Sequence, residues 1–432
     1  MVSQVANEAV VDAVAGNALR LGPTRPPRAT PTQAEQHRNG EMRTYFDRVR
    51  AGADGGTVGA DGTEAGAGAA STELTAAVEE TLGAFLAGEI GALAEVDPAM
   101  GEFAEVARDC VLAGGKRLRP TFAYWGWRGL ACDDLPSTPV LPALAALELL
   151  HTFALVHDDV MDGSATRRGR PTAHRTLAAQ HDAAGRTGAA DRFGAAGAVL
   201  VGDLCLIWAD RLLSHAALPP GTLLAARRCY DQMRVETVAG QYLDVLGEAD
   251  AGNWSVERAL RVARYKTASY TVQHPLLFGA ALADAAPGSP ATVAYHRYGL
   301  AVGEAFQLRD DMLGVYGDPA TTGKPAGDDL RSGKPTPLLM LARELASPAQ
   351  RAALDSAPAR IAATAAVDRP TALAVVDELA ELVAATGAVR QVEKMIDERV
   401  AEALTALRDA PIAQPARQAL TGLAVAATER RA

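Results

Sequence analysis

Residues 141–160 read LPALAALELLHTFALVHDDV, and two features of this stretch set the fold and raise the functional question. Leucine, alanine, valine and phenylalanine recur at three- and four-residue intervals with no alternation of apolar and polar positions, which predicts a buried helix. The apolar run then ends in Asp158, Asp159 and, after DDVMD, Asp162. Carboxylates behind leucines and valines are costly unless they are paired or hold a cation.

The same period continues outward in both directions. STELTAAVEETLGAFLAGEIGALAEV from Ser71 opens with a Ser/Thr cap ahead of Glu, and GAVLVGDLCLIWADRLLSHAAL, LLAARRCYDQMRVETVAGQYLDVL and YHRYGLAVGEAFQLRDDML repeat the pattern downstream. No convincing alternating strand is found, so an all-α domain of ten or more helices is expected over residues 73–430. Residues 1–72 differ: LGPTRPPRATPTQ and AGADGGTVGADGTEAGAGAAS lack the apolar content to offset their ordering entropy. Disorder is expected there, with MRTYFDRVR as a candidate short helix.

The chain has 432 residues, 48% hydrophobic, and a net charge of −10, which argues against nucleic-acid binding. Cys110, Cys132, Cys205 and Cys229 form no CxxC and read as reduced thiols. Neither a secretory signal nor an apolar run long enough to cross a bilayer is expected, so a cytoplasmic protein without stable membrane insertion is.

Asp158 and Asp162 stand four apart and share a helix face, with Asp159 turned partly aside. Magnesium accepts such oxygens, keeps several waters and completes its shell with phosphates. Arg167 and Arg168 would then meet the same phosphate from the other side. The plain alternative is a solvated helix end with local ion pairs. A calcium loop fails, because Val160 and Gly169 stand where its acids belong.

A second cluster, Asp310 and Asp311, follows another helical stretch, with Gly314 where a third acid would complete the first spacing. Asp318, Lys324, Asp329 and Lys334 follow in Gly/Pro-rich sequence. A Walker loop is excluded by Asp318 and Pro325 at its required Gly and Ser/Thr positions. Upstream, VLAGGKRLRP aims Lys116 and Arg119 at one anion, while Arg117 could equally be a surface charge. His151 either donates to a phosphate or fills a polar niche in the core.

Together GGKRLRP, DDVMD with RRG, GQYLD, YKTASYT, FQLRDD and TGKPAGDDLRSGK, in this order, resemble the trans-isoprenyl diphosphate synthases, or polyprenyl synthetases. The resemblance implies an isoprenoid-synthase-type helical bundle around a deep central cavity. It also implies a homodimer using Mg²⁺, and condensation of isopentenyl diphosphate with an allylic diphosphate (dimethylallyl, geranyl or farnesyl). By the same resemblance Lys116, Arg119, His151 and Arg168 bind isopentenyl diphosphate. Asp158, Asp162 and Asp310 ligate magnesium, with Asp159, Asp311 and Asp329 acting through water. Arg167, Lys266, Thr267, Gln307, Lys324 and Lys334 surround the allylic diphosphate, Lys266 and the aspartates carrying the chemistry. Gln241 and Asp244 match a motif of less defined role. Gly314 costs the second cluster a ligand, and Pro335 replaces a common basic residue.

One helical turn is about 5.4 Å, near the span of an isoprene unit, so residues one to two turns before Asp158 would floor the chain pocket. Ala154 leaves room and Phe153 blocks. In the family this pattern resembles synthases of the twenty-carbon product, geranylgeranyl diphosphate. Farnesyl diphosphate or longer products are the alternatives. A class I terpene cyclase would not need GGKRLRP. A non-catalytic subunit would have lost motif residues, and a helical scaffold would bind no diphosphate.

Overall fold

A computed structural model describes residues 63–132, 135–317, 327–365 and 369–428. The helices run α1 (Thr63–Val96), α2 (Pro98–Val111), α3 (Leu118–Arg128), α4 (Leu141–Met161), α5 (Ala173–Ala183), α6 (Ala190–Ser214), α7 (Pro220–Ala249) and α8 (Val256–Val262). A π-helix (Ala263–Gln273) leads into α9 (His274–Leu282) and α10 (Pro290–Tyr316). They continue with α11 (Asp328–Ser332), α12 (Pro337–Leu345), α13 (Pro348–Asp355), α14 (Ala357–Ala365), α15 (Arg369–Ala385), α16 (Ala388–Arg408) and α17 (Gln414–Thr428). The fold is all-helical, as the periodicity predicts. The helix suggested near residue 45, Asp318 and Lys324 lie outside the described residues.

Helix α4 sits in the core. Eight consecutive residues, Ala143 to Leu150, are buried, so its apolar circumference is spent on neighbours on all sides. It packs most extensively along α6, and the two share one apolar cluster with α1, α2 and α7. A second cluster joins α3, α9, α10 and α17, and a third joins α12 to the C-terminal helices.

Three features of the structure bear on the sequence expectations. Helix α1 begins at Thr63, ahead of the boundary placed at residue 72. Leu74, Val78, Leu82 and Leu86 anchor its later turns in the core, and alanine-rich sequence propagates from an anchored helix at little cost. A short antiparallel ladder, β1 (Thr166–Arg167) with β2 (Arg170–Pro171), stands where no strand was expected. Its turn residues Arg168 (φ 53°) and Gly169 (φ 73°) are both left-handed, the geometry a two-residue hairpin requires. Finally, α6 is long and apolar enough to cross a bilayer by length and composition. One side packs against α4, while Leu200 and Ile207 lie exposed on the other.

Candidate active site

The carboxylates of DDVMD occupy the last turn of α4, with Asp162 as its C-cap. That is the negative end of the helix dipole, where acids are disfavoured, so cations have to compensate. The structure supplies them. Asp158 Oδ1 accepts from Lys266 Nζ at 2.9 Å and Gln241 Nε2 at 3.0 Å, and Oδ2 lies 3.3 Å from Arg167. Arg167 also donates to Asp159 at 2.7 Å. Burial pushes the Asp158 carboxyl up, but the Lys266, Lys334 and Arg167 charges outweigh it and bring it to about 2. Asp162 moves the other way, raised by burial and then by the charge of Asp158.

The hub behind this pair is Asp244 on α7. Its Oδ2 takes Lys266 at 2.6 Å and Lys334 at 2.8 Å, and Lys334 approaches Glu248 at 3.7 Å. Gln241 and Asp244, whose roles the sequence leaves undefined, are therefore the residues that fix Asp158 and both lysines. Burial opposes the charge on Lys334, yet Asp244 and Asp162 hold its ammonium above the ordinary value.

The second cluster faces the same lysines. A cavity of about 450 Å³ including its mouth is walled by Asp244, Lys266, Thr267, Gln307, Asp311 and Lys334, with Leu243, Trp254 and Pro335 to Pro337. Asp158 and Asp162 are not in its wall; Asp158 joins it through Lys266, whose charge also reaches Asp162. Lys334 is within electrostatic reach of Asp158, Asp162 and Asp311, so the two acidic clusters share one region of the molecule. Gln307 donates to Asp311 at 2.7 Å, and the other Asp311 oxygen is buried without a protein partner. Burial raises the Asp311 carboxyl well above the usual range, and the charges of Asp329 and Asp310 add to it.

Gly314 does not leave the cluster short of an acid. A Cβ there would overlap the Asp329 carboxylate, which packs over the glycine from the segment beyond Gly327. Asp329 thus supplies in space the carboxylate absent from the spacing. Pro335, the other departure, lines the cavity beside Lys334.

The basic loop forms a second subsite. Arg117 is not a surface charge: it is 4% exposed and donates to Glu148 Oε2 at 2.7 Å and to the Val111 carbonyl. Its backbone is left-handed at φ 45°, a strain held in place by that anchorage. Arg119 donates to Thr271 at 2.8 Å and lies 4.1 Å over the Tyr270 ring. Lys116 is exposed at the loop, and Arg168 donates to the Gly114 carbonyl, tying the hairpin to the loop. His151 is held well below its ordinary pKa by burial and by Arg119, Arg168, Arg167 and Arg117, so the imidazole is neutral. Arg119 Nε, Glu148 Oε1, His151 Nδ1 and Tyr270 Oη are all buried without a protein partner, and such groups call for a polar ligand or water.

One element connects the subsites. The π-helix presents Lys266 to Asp158 at one end and Thr271 to Arg119 at the other. Gly240 on α7 and Gly303 on α10 flank it so closely that a Cβ at either would overlap its backbone. Along α4, Phe153 and Ala154 are half-buried against the first core cluster.

Residues 101–371 match the polyprenyl synthetase family. The chain belongs to that family. As a polyprenyl synthetase it is a prenyltransferase of isoprenoid biosynthesis. It is 36% identical to a geranylgeranyl diphosphate synthase of Mycobacterium tuberculosis, over 69% of this chain and 76% of that one. A (2E,6E)-farnesyl diphosphate synthase from the same organism is 34% identical over 51% of this chain and 55% of its own length. Among solved structures, a geranylgeranyl pyrophosphate synthase of Corynebacterium glutamicum, complexed with isoprenyl diphosphate and magnesium, superposes with a TM-score of 0.77 at 38% identity. That match covers 83% of this chain and 99% of the other.

Proposed function

We propose that this polyprenyl synthetase condenses isopentenyl diphosphate with an allylic diphosphate, head to tail and with E geometry, and stops at geranylgeranyl diphosphate. The observation that carries this reading is the pairing of two polar subsites by one π-helix, Lys266 serving the acidic end and Thr271 with Arg119 the basic loop.

The donor set suits magnesium: hard carboxylate oxygens from two helices, with Asp158 ionised at neutral pH. Among the described residues no three acidic, histidine or cysteine side chains form a ready-made metal cage. Magnesium keeps several waters and takes phosphate oxygens rather than a full set of protein ligands. Asp158, Asp162 and Asp310 would hold it, with Asp159, Asp311 and Asp329 oriented through water. Bound there, magnesium would stabilise negative charge developing on a leaving diphosphate.

The chain's own residues do the rest. Arg167, Lys266, Thr267, Gln307 and Lys334 orient the allylic diphosphate and take up its charge as the carbon–oxygen bond breaks and the electron pair leaves with the diphosphate. Lys116, Arg119, Arg168 and neutral His151 hold isopentenyl diphosphate so that its double bond meets the allylic cation. A carbon–carbon bond forms, and a proton passes to the departing diphosphate. Apolar walls keep water from the cation. Phe153 ends the growth of the chain at twenty carbons, with Ala154 leaving room above it.

The enzyme works as a homodimer in this reading. Val235, Val238, Tyr242 and Val245 recur at three- and four-residue steps on α7 and are 66%, 56%, 66% and 43% exposed, and α6 also exposes Leu200 and Ile207. The α7 spacing lines these side chains along one helix face, which suits helix–helix packing. Val238→Asp with Tyr242→Asp is expected to halve the mass in sedimentation velocity. An unchanged mass would place the interface elsewhere.

Incubation with isopentenyl diphosphate, each allylic primer and Mg²⁺, followed by chromatography, tests the function. Geranylgeranyl diphosphate as the main product is expected. Hydrocarbon from the allylic primer alone would instead indicate a cyclase.

A further inference from the structure

We propose that His157 is a positioning residue for product length, holding the Phe153 ring in place while α6 fixes His157. The inference rests on Phe153 being the floor of the chain pocket, and adds the part that makes the floor rigid.

Phe153 and His157 lie one turn apart on α4 and so stack along one face. Their ring centroids are 4.8 Å apart with planes at 66°, an edge-on contact. His157 Nε2 sits 2.9 Å from the Val199 carbonyl of α6. A carbonyl only accepts, so Nε2 carries the proton and the imidazole is committed to one orientation. Asp203 lies farther out, at 3.8 Å from the same nitrogen. Gly202 closes the third side: a Cβ there would overlap Cδ2 and Nε2 of His157. The α4–α6 approach therefore depends on glycine at 202 and on a flat side chain at 157.

The mechanical consequence follows from packing. An aromatic ring on a helix has few allowed χ1 states, and a neighbour fixed on two sides removes the alternatives. With His157 pinned between the Val199 carbonyl and Gly202, the Phe153 ring cannot swing toward α6. Removing the imidazole frees that swing and deepens the floor. Discrimination per methylene in an apolar pocket is about 10–200-fold, so a soft floor changes the product distribution even when turnover is retained.

The test compares full-length wild type, Phe153→Ala, His157→Ala, Gly202→Ala and the Phe153→Ala/His157→Ala double variant. Each receives farnesyl diphosphate, excess isopentenyl diphosphate and Mg²⁺, and products are resolved by chain length. His157→Ala is expected to raise the share of product one five-carbon unit longer by about tenfold. Gly202→Ala, which displaces the imidazole, shifts it in the same direction. His157→Gln keeps a donor to the Val199 carbonyl, and with it the helix contact, but loses the ring edge. It lengthens the product too, and so reports even if His157→Ala fails to fold. The double variant should make products no longer than Phe153→Ala alone, because His157 acts through that ring. Lengthening by Phe153→Ala with wild-type products from His157→Ala and His157→Gln would overturn the proposal and leave the floor in place. A double variant exceeding Phe153→Ala would show that His157 acts independently, and overturn it equally. No lengthening by Phe153→Ala would remove the floor itself, and the proposal with it.

Discussion

Asp158→Asn is expected to lower kcat by about a thousandfold or more while leaving the fold intact. Losing a single preorganised group that stabilises transition-state charge costs about 10²–10³ in rate, and Asp158 has two such duties. It is a proposed magnesium ligand, and it organises Lys266, Gln241 and Arg167 through both of its oxygens. Asparagine keeps the shape but turns an amide donor toward groups that already donate. Lys266 would then fall back on Asp244 alone. The apolar body of α4 is untouched, so the thermal midpoint should stay within a few degrees. Rates within tenfold of wild type, measured with saturating magnesium and both substrates, would remove Asp158 from the proposed role.

Arg117→Ala is expected to act on stability first. The Arg117 and Glu148 side chains are 2% and 4% exposed and meet at 2.7 Å. Removing one partner of a buried pair leaves the other charge uncompensated, which costs about 3–5 kcal/mol. The guanidinium also binds the Val111 carbonyl, and its side chain touches the exposed Glu79 at 3.3 Å, a contact that adds little. Chemical denaturation should show the loss as a lower midpoint. Replacing both partners, as Arg117→Met with Glu148→Leu, should recover much of it, because the unpaired buried charge is gone. In kinetics the single variant should raise KM for isopentenyl diphosphate, since the loop carrying Lys116 and Arg119 loses its anchor. Stability within about 0.5 kcal/mol of wild type, the margin typical of surface changes, would show that the pair is not the anchor described.

The helical class was legible because α4, α6, α7 and α10 carry clear three- and four-residue periods. The acidic turns were legible because Asp158 and Asp162, and likewise Asp310 and Asp311, end apolar runs where a charge has to be explained. What the sequence hid was contact between distant positions. Arginine is rarely buried, so the placement of Arg117 depended on Glu148, thirty-one residues away, which no local pattern reveals. Asp329 filling the space over Gly314 is likewise a meeting of separate segments. Gln241 and Asp244 stand three apart on α7, a signal for one face, but only the fold shows that this face meets Lys266 and Lys334. The π-helix is silent in the sequence because its wider turn is set by neighbours, notably Gly240 and Gly303, rather than by its own residues. The short hairpin was missed because two-residue strands leave no alternation, although Arg168-Gly169 fits its turn.

The central claim is that carboxylates from α4 and α10 grip one diphosphate through divalent ions. A crystal structure with Mn²⁺ and a non-reactive allylic diphosphate analogue, using anomalous scattering to locate the metal, tests it most directly. The account predicts manganese peaks bonded to Asp158 and to Asp310, both bridging to the same diphosphate, with Lys266 and Lys334 against its oxygens. Metal bound at one cluster alone, or a diphosphate seated away from Lys266, would contradict it.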